Sequence, residues 1–70
     1  MTFTVEVWAK PQGLKGRWLP RADAPDEATA AAEVRTLGAG GVARAISRDG
    51  TVTLHASPQG FYRLTRKTAL

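Results

Sequence analysis

Residues 40–56, GGVARAISRDGTVTLHA, place Asp49-Gly50 between two β-prone runs. An Asp-Gly pair in that setting favours a type I′ hairpin, because glycine and aspartate tolerate the positive backbone angles such a turn requires. A two-residue loop there fixes the register. It pairs Ser47 with Val52, Ala45 with Leu54, Arg44 with His55 and Ala43 with Ala56. Further on, Ser57-Pro58-Gln59-Gly60 is a second turn signal, and FYRLTRK, residues 61–67, follows as a third strand of the meander. Read as a three-residue loop, Pro58-Gln59-Gly60 sets Ala56 against Tyr62, Leu54 against Leu64, His55 against Arg63 and Thr53 against Thr65. One face then holds Ala43, Ala45, Val52, Leu54, Ala56, Tyr62 and Leu64. The other holds Arg44, Arg48, Thr51, Thr53, His55, Phe61, Arg63, Thr65 and Lys67, with Val42 and Ile46 as apolar exceptions.

Upstream, TFTVEVWA at residues 2–9 alternates strictly, which is the period of a half-buried strand. Phe3, Val5, Val7 and Ala9 point one way, and Thr2, Thr4, Glu6 and Trp8 the other. A turn over Lys10–Gly16 leads to a short strand, Arg17-Trp18-Leu19-Pro20-Arg21. Pro20 has no amide to donate, so this strand belongs at an edge or ends there. Asp23-Ala24-Pro25-Asp26-Glu27 reads as a helix start, with Asp23 as cap and acids at the positive end of the dipole. Gly38 stops the helix. Ala30, Ala31, Val34 and Leu37 share one helical face, and the small side chains let the helix axis approach a sheet closely. The expected fold is a single α+β domain over residues 1–70, an antiparallel sheet in the order ββαβββ with the helix on one face.

Charge is sorted by these elements. Residues 23–37 hold four acids and one arginine, a formal −3, while the remainder holds nine Lys and Arg against two acids, a formal +7, within a total of +4. A strongly basic remainder points to an anionic partner. Arg44, His55 and Arg63 form a row across three strands of the outward face. Like charges directly opposite destabilise a sheet by a few tenths to about 1 kcal/mol per pair, so the row calls for an anion. Arg44, Arg48, His55, Arg63 and Lys67, with Trp8 and Phe61 for stacking, are the candidate nucleic-acid or anion contacts. The competing reading is a solvated outer face, where polar and β-branched residues belong in any case. If the first strand lies alongside, Glu6 partly neutralises the row and Trp8 joins it. One tryptophan is expected to complete the small core and the other to be a surface anchor, with alternation favouring Trp8 as the exposed one.

Other chemistry finds little support in the residues. His55 is the single histidine and cysteine is absent, which argues against a metal site and excludes disulfides. Neither Ser47 nor Ser57 stands in a nucleophile elbow, and no Asp is spaced with His55 for a triad. Gly38, Gly40 and Gly41 follow a helix, whereas a phosphate cradle precedes one. The apolar runs fall well short of the roughly 18 to 20 residues that span a bilayer. The expectation is a non-enzymatic binding protein that needs no cofactor and no membrane and acts in the cytoplasm. Its partner is nucleic acid or a nucleoprotein complex. A homodimer built by extending the sheet from an edge strand is compatible with this design.

The segments FTVEVWA, GRWLPR, DEATAAAEVRTLG and VARAISRDGTVTLHA in this order resemble, in outline, small accessory proteins of bacteriophages and other mobile elements. Anti-CRISPR proteins built from a bent antiparallel sheet and one helix are among them. That resemblance implies a stoichiometric inhibitor with one protein target, acting in a bacterial or phage-infected cell by occluding a nucleic-acid-binding surface. Mimicry of nucleic acid would fall to the acidic helix face of Asp26, Glu27 and Glu33, the one surface with the right sign.

Overall fold

A computed structural model of the chain describes residues 1–10 and 15–66. The strands are β1 (Phe3–Ala9), β2 (Arg17–Ala24), β3 (Ala43–Ser47), β4 (Val52–Ser57) and β5 (Gly60–Thr65), with one helix, α1 (Glu27–Gly38), between β2 and β3. All five strands join one sheet in the order β2-β1-β3-β4-β5, every neighbouring pair antiparallel. This is the expected ββαβββ arrangement. The turn expected over Lys10–Gly16 falls mostly on residues 11–14, outside the described residues.

The helix covers one sheet face and leaves the other uncovered by any described residue. Phe3 and Val5 of β1, Ala43 and Ala45 of β3, and Val52, Leu54 and Ala56 of β4 are buried beneath Ala30 and Val34. Spacing of Ala30, Val34 and Gly38 by four residues sets one stripe of small side chains on the sheet. Gly38 ends the helix as expected, though a second property explains the residue. A Cβ there would lie 2.6 Å from the Ala56 Cβ, so glycine lets the last turn touch β4 directly.

Helix initiation differs from the sequence expectation. Asp23 stays in β2 opposite Thr4, and Ala24 is buried opposite Phe3. The cap is Asp26, in extended backbone, whose Oδ1 accepts the Thr29 amide at 2.7 Å. Burial of Ala24 and the ladder through Asp23 extend the strand, and Asp26 is the next residue able to cap. Pro20 lies in an edge strand, as its missing amide requires. Arg21 is the extra residue of a bulge, because Val5 pairs with Ala22 and Glu6 with Pro20.

The β3–β4 register agrees with the expected one, but the turn is of another type. Only Gly50 has positive φ (78°), and its amide donates to the Ser47 carbonyl at 2.9 Å. Asp49 therefore keeps an ordinary backbone and uses its side chain instead. Its Oδ1 accepts from the Thr51 amide, the Thr51 hydroxyl and the Ser47 hydroxyl. Ser47 Oγ in turn accepts the Val52 amide at 2.9 Å, closing the hairpin through side chains.

The β4–β5 register corrects the sequence expectation. Ser57 pairs with Gly60, leaving only Pro58 and Gln59 in the loop, with Gly60 already in the strand at φ 151°. Ser57 Oγ accepts the Gln59 amide and donates to Gln59 Oε1, which braces the shorter turn. One residue fewer in the loop shifts β5 by one position and exchanges its two faces. Leu54 now meets Arg63, His55 meets Tyr62 and Ala56 meets Phe61.

Candidate functional site

The uncovered face is built from alternate residues of all five strands. One row runs Pro20, Glu6, Arg44, His55 and Tyr62 through directly paired positions. Beside it stand Trp18 and Trp8, paired across β2 and β1, with Val42 opposite Trp8 through a 2.9 Å backbone bond. On the other side lie Thr4, Ile46, Thr53 and Leu64. Among the described residues the exposed large hydrophobics are Met1, Trp8, Val42, Tyr62 and Leu64, and the last four project from this face. An aromatic and aliphatic surface of this kind, uncovered by any described residue, makes this face the candidate functional site.

Arg44 organises its centre. Its Nε donates to Glu6 Oε1 at 2.7 Å, and its guanidinium carbon lies 3.9 Å above the Trp18 ring. The side chain thus crosses from β3 over β1 to β2 and ties the edge strand into the sheet. Trp18 meets Trp8 edge to face, with ring centroids 5.4 Å apart. Gly16 lies under the Trp8 ring, where any Cβ would collide with it. At the far end His55 stacks on Tyr62 with centroids 4.8 Å apart and planes within 13°. Burial, and secondarily the charge of Arg44, push the His55 pKa below its usual range, which favours the neutral imidazole.

Several predicted residues fall elsewhere. Phe61 and Arg63 are on the helix side, because of the shift in β5. Arg63 makes a two-pronged ion pair with Glu27, both contacts 2.9 Å, and each partner shifts the other's pKa further toward the charged form. Phe61 packs against the core and carries the Arg35 guanidinium 4.3 Å over its ring. The expected row Arg44-His55-Arg63 is therefore Arg44-His55-Tyr62. Arg48 sits exposed in the β3–β4 turn, and Lys67 lies outside the described residues. Trp8 is on the open face as expected and 44% exposed. Trp18 joins it there, half-buried, so neither tryptophan completes the core. Asp26 is occupied as the helix cap and Glu27 by Arg63, leaving Glu33 as the acid of that trio with no hydrogen bond or ion pair to a described residue.

Sequence reasoning missed Trp18, Tyr62 and Leu64 as members of the face. A two-residue reading of the Ser57–Gly60 turn would have found the last two. Trp18 carried no such signal, since the seven residues between Ala9 and Arg17 are too many for their number to fix a register.

Cations surround this face more than they occupy it. Lys10, Lys15 and Arg21 are exposed along and beside β2, and Arg48 and Arg66 are exposed near the opposite strand ends, whereas Arg17, paired with Ala9, is exposed on the helix side. Comparison with family models, curated proteins and solved structures finds no match. No helix among the described residues is long and apolar enough to cross a membrane.

Proposed function

We propose that the chain is a non-enzymatic binding protein that takes single-stranded nucleic acid, free or within a nucleoprotein complex, across its uncovered sheet face. The observation that carries this reading is the set of flat groups on that face: Trp8 against Trp18 at one end, with the Arg44 guanidinium lying over Trp18, and His55 stacked on Tyr62 at the other. Trp8 on β1 and Tyr62 on β5 are three strand spacings apart, roughly 14 Å, enough for more than one unstacked base. Base stacking on such groups contributes about 1–3 kcal/mol per base. The exposed cations at the rim supply the backbone contacts. A duplex hides its bases from a flat platform, so single strands are the favoured form.

The test is binding of short single- and double-stranded DNA and RNA at ~50 and ~200 mM salt. With three phosphate contacts and a slope of about −0.7 per contact, affinity for a single strand falls roughly 20-fold across that range. Tyr62→Ala and Trp8→Ala each weaken it. Absence of single-strand binding at the lower salt would overturn the reading.

A second reading rests on a different observation. Both Arg44 and Arg63 already have carboxylate partners, and Trp8, Val42, Tyr62 and Leu64 form an apolar surface suited to a protein. In that case the chain is a stoichiometric inhibitor of the anti-CRISPR type, engaging its target through this sheet face. Target binding would then be insensitive to salt and lost in Leu64→Asp.

A further inference from the structure

The Arg44 side chain is held on two sides and free on a third. Nε is taken by Glu6, one face of the guanidinium lies on Trp18, and its Nη groups make no hydrogen bond to any described residue. Arginine has a fixed fork of donors, so anchoring Nε and the plane fixes where the remaining N–H groups aim. Trp8 stands on the neighbouring strand, diagonal to Arg44, because its direct partner is Val42. Diagonal neighbours on a sheet lie about 7–8 Å apart, within reach of large side chains and of a planar ligand lying on one of them.

Resting on the single-strand reading above, we propose that the free Nη edge of Arg44 and the exposed ring of Trp8 form a subsite for a guanine base. Two arguments select guanine. The fork requires two adjacent acceptors, which guanine offers at O6 and N7, whereas adenine presents one acceptor beside a donor. The Glu6 carboxylate, 2.7 Å from Arg44 Nε, offsets the arginine's charge and repels a phosphate. A neutral base edge is not penalised in that way, and phosphates gain more at the unpaired cations of the rim. Glu6 and Trp18 thereby act as positioning residues that turn Arg44 from a general anion contact into a base reader.

The experiment measures binding of the full chain to labelled U-rich single strands of about eight nucleotides, with a single central G, A or C, at ~100 mM salt. A good bidentate pair discriminates by about 5- to 150-fold, so the G strand binds at least about 5-fold more tightly than the A and C strands. Replacing the central guanine by 7-deazaguanine removes one acceptor from the ligand and leaves the protein untouched, and the preference falls to a few-fold at most. Arg44→Lys keeps the charge without the fork. It levels the three strands relative to one another while lowering the affinity for all of them, because the Arg44 plane also belongs to the stacking surface, and circular dichroism reports the fold of the variant. Equal binding of the G, A and C strands by the unaltered protein overturns the guanine subsite and leaves the single-strand reading standing. A preference that survives 7-deazaguanine also overturns it. Binding of none of the strands overturns both.

Discussion

Replacing Gly38 by alanine sets two effects of opposite sign against each other. Alanine is the better helix former by about 1 kcal/mol in a helix interior, and less at the last helical position. Its Cβ, however, would lie 2.6 Å from the Ala56 Cβ, 2.7 Å from its carbonyl carbon and 2.9 Å from its oxygen. Carbon atoms in contact prefer about 3.5–4.0 Å, so helix and strand must separate by nearly 1 Å, and two of the three atoms in the way are backbone. Overpacking of that sort costs about 1–3 kcal/mol. The clash wins, and Gly38→Ala is expected to destabilise by about 1 kcal/mol net, a fall of roughly 4–8 °C in Tm for a domain of this size. Urea unfolding followed by tryptophan fluorescence measures it. Gly40→Ala is the control, with nothing within 4 Å of the new Cβ, and should stay within about 0.5 kcal/mol of the parent. A double-mutant cycle with Ala56→Gly should show favourable coupling, because that change removes one of the three clashing atoms. A Gly38→Ala variant as stable as the parent would refute the close approach of α1 and β4 as the reason for glycine.

Other expectations concern acid and the two sheet faces. Hydrogen bonds from the Thr51 amide, then from the Ser47 and Thr51 hydroxyls, hold the Asp49 carboxyl at about 2, against an ordinary 3.8. Because the folded value is depressed, its stabilisation is present above pH ~4 and is lost as pH falls toward ~2. Asp26 and Glu27 shift in the same direction. Acid titration by circular dichroism should therefore show a shallower loss for Asp49→Ala than for the parent over that window, and an unchanged profile would discount the turn network. Arg63→Gln should leave the salt dependence of single-strand binding as it was, because this side chain faces the helix. Arg21→Gln with Arg48→Gln should lower the slope by about 1.4 in a plot of log K against log salt, and equal effects of this pair and of Arg63→Gln would contradict the assignment of faces.

Most of the fold was legible because its signals are local. Strict alternation over residues 2–9 marks β1, the alanine-rich stretch closed by Gly38 marks α1, and Asp49-Gly50 sets the β3–β4 register whatever the turn type. The face of β5 was not legible from the same kind of signal. Ser57-Pro58-Gln59-Gly60 supports a loop of two residues or of three, and FYRLT has large side chains at every position but the last, so no hydrophobic pattern arbitrates. Tertiary contacts decide instead. With Phe61 and Arg63 toward the helix, Phe61 finds the core and Arg35, and Arg63 finds Glu27. The alternative register would turn Tyr62 and Leu64 toward the helix and leave Glu27 and Arg35 without these partners.

That choice changes what the charge distribution means. The sequence sorts acids into the helix and bases into the strands, which suggests a basic face displayed to a partner. In the structure part of that complementarity is satisfied internally, since Glu27 of α1 holds Arg63 of β5, and Glu6 of β1 holds Arg44 of β3. What remains is a different combination: planar groups on the open face, and cations at its rim that pair with no acid among the described residues. A surface that was basic throughout would bind any polyanion, with affinity set by salt alone. On the proposed reading, moving the net charge to the rim would leave the centre free to discriminate among bases, because Arg44, already paired with Glu6, would gain more from two well-placed acceptors than from one more negative charge.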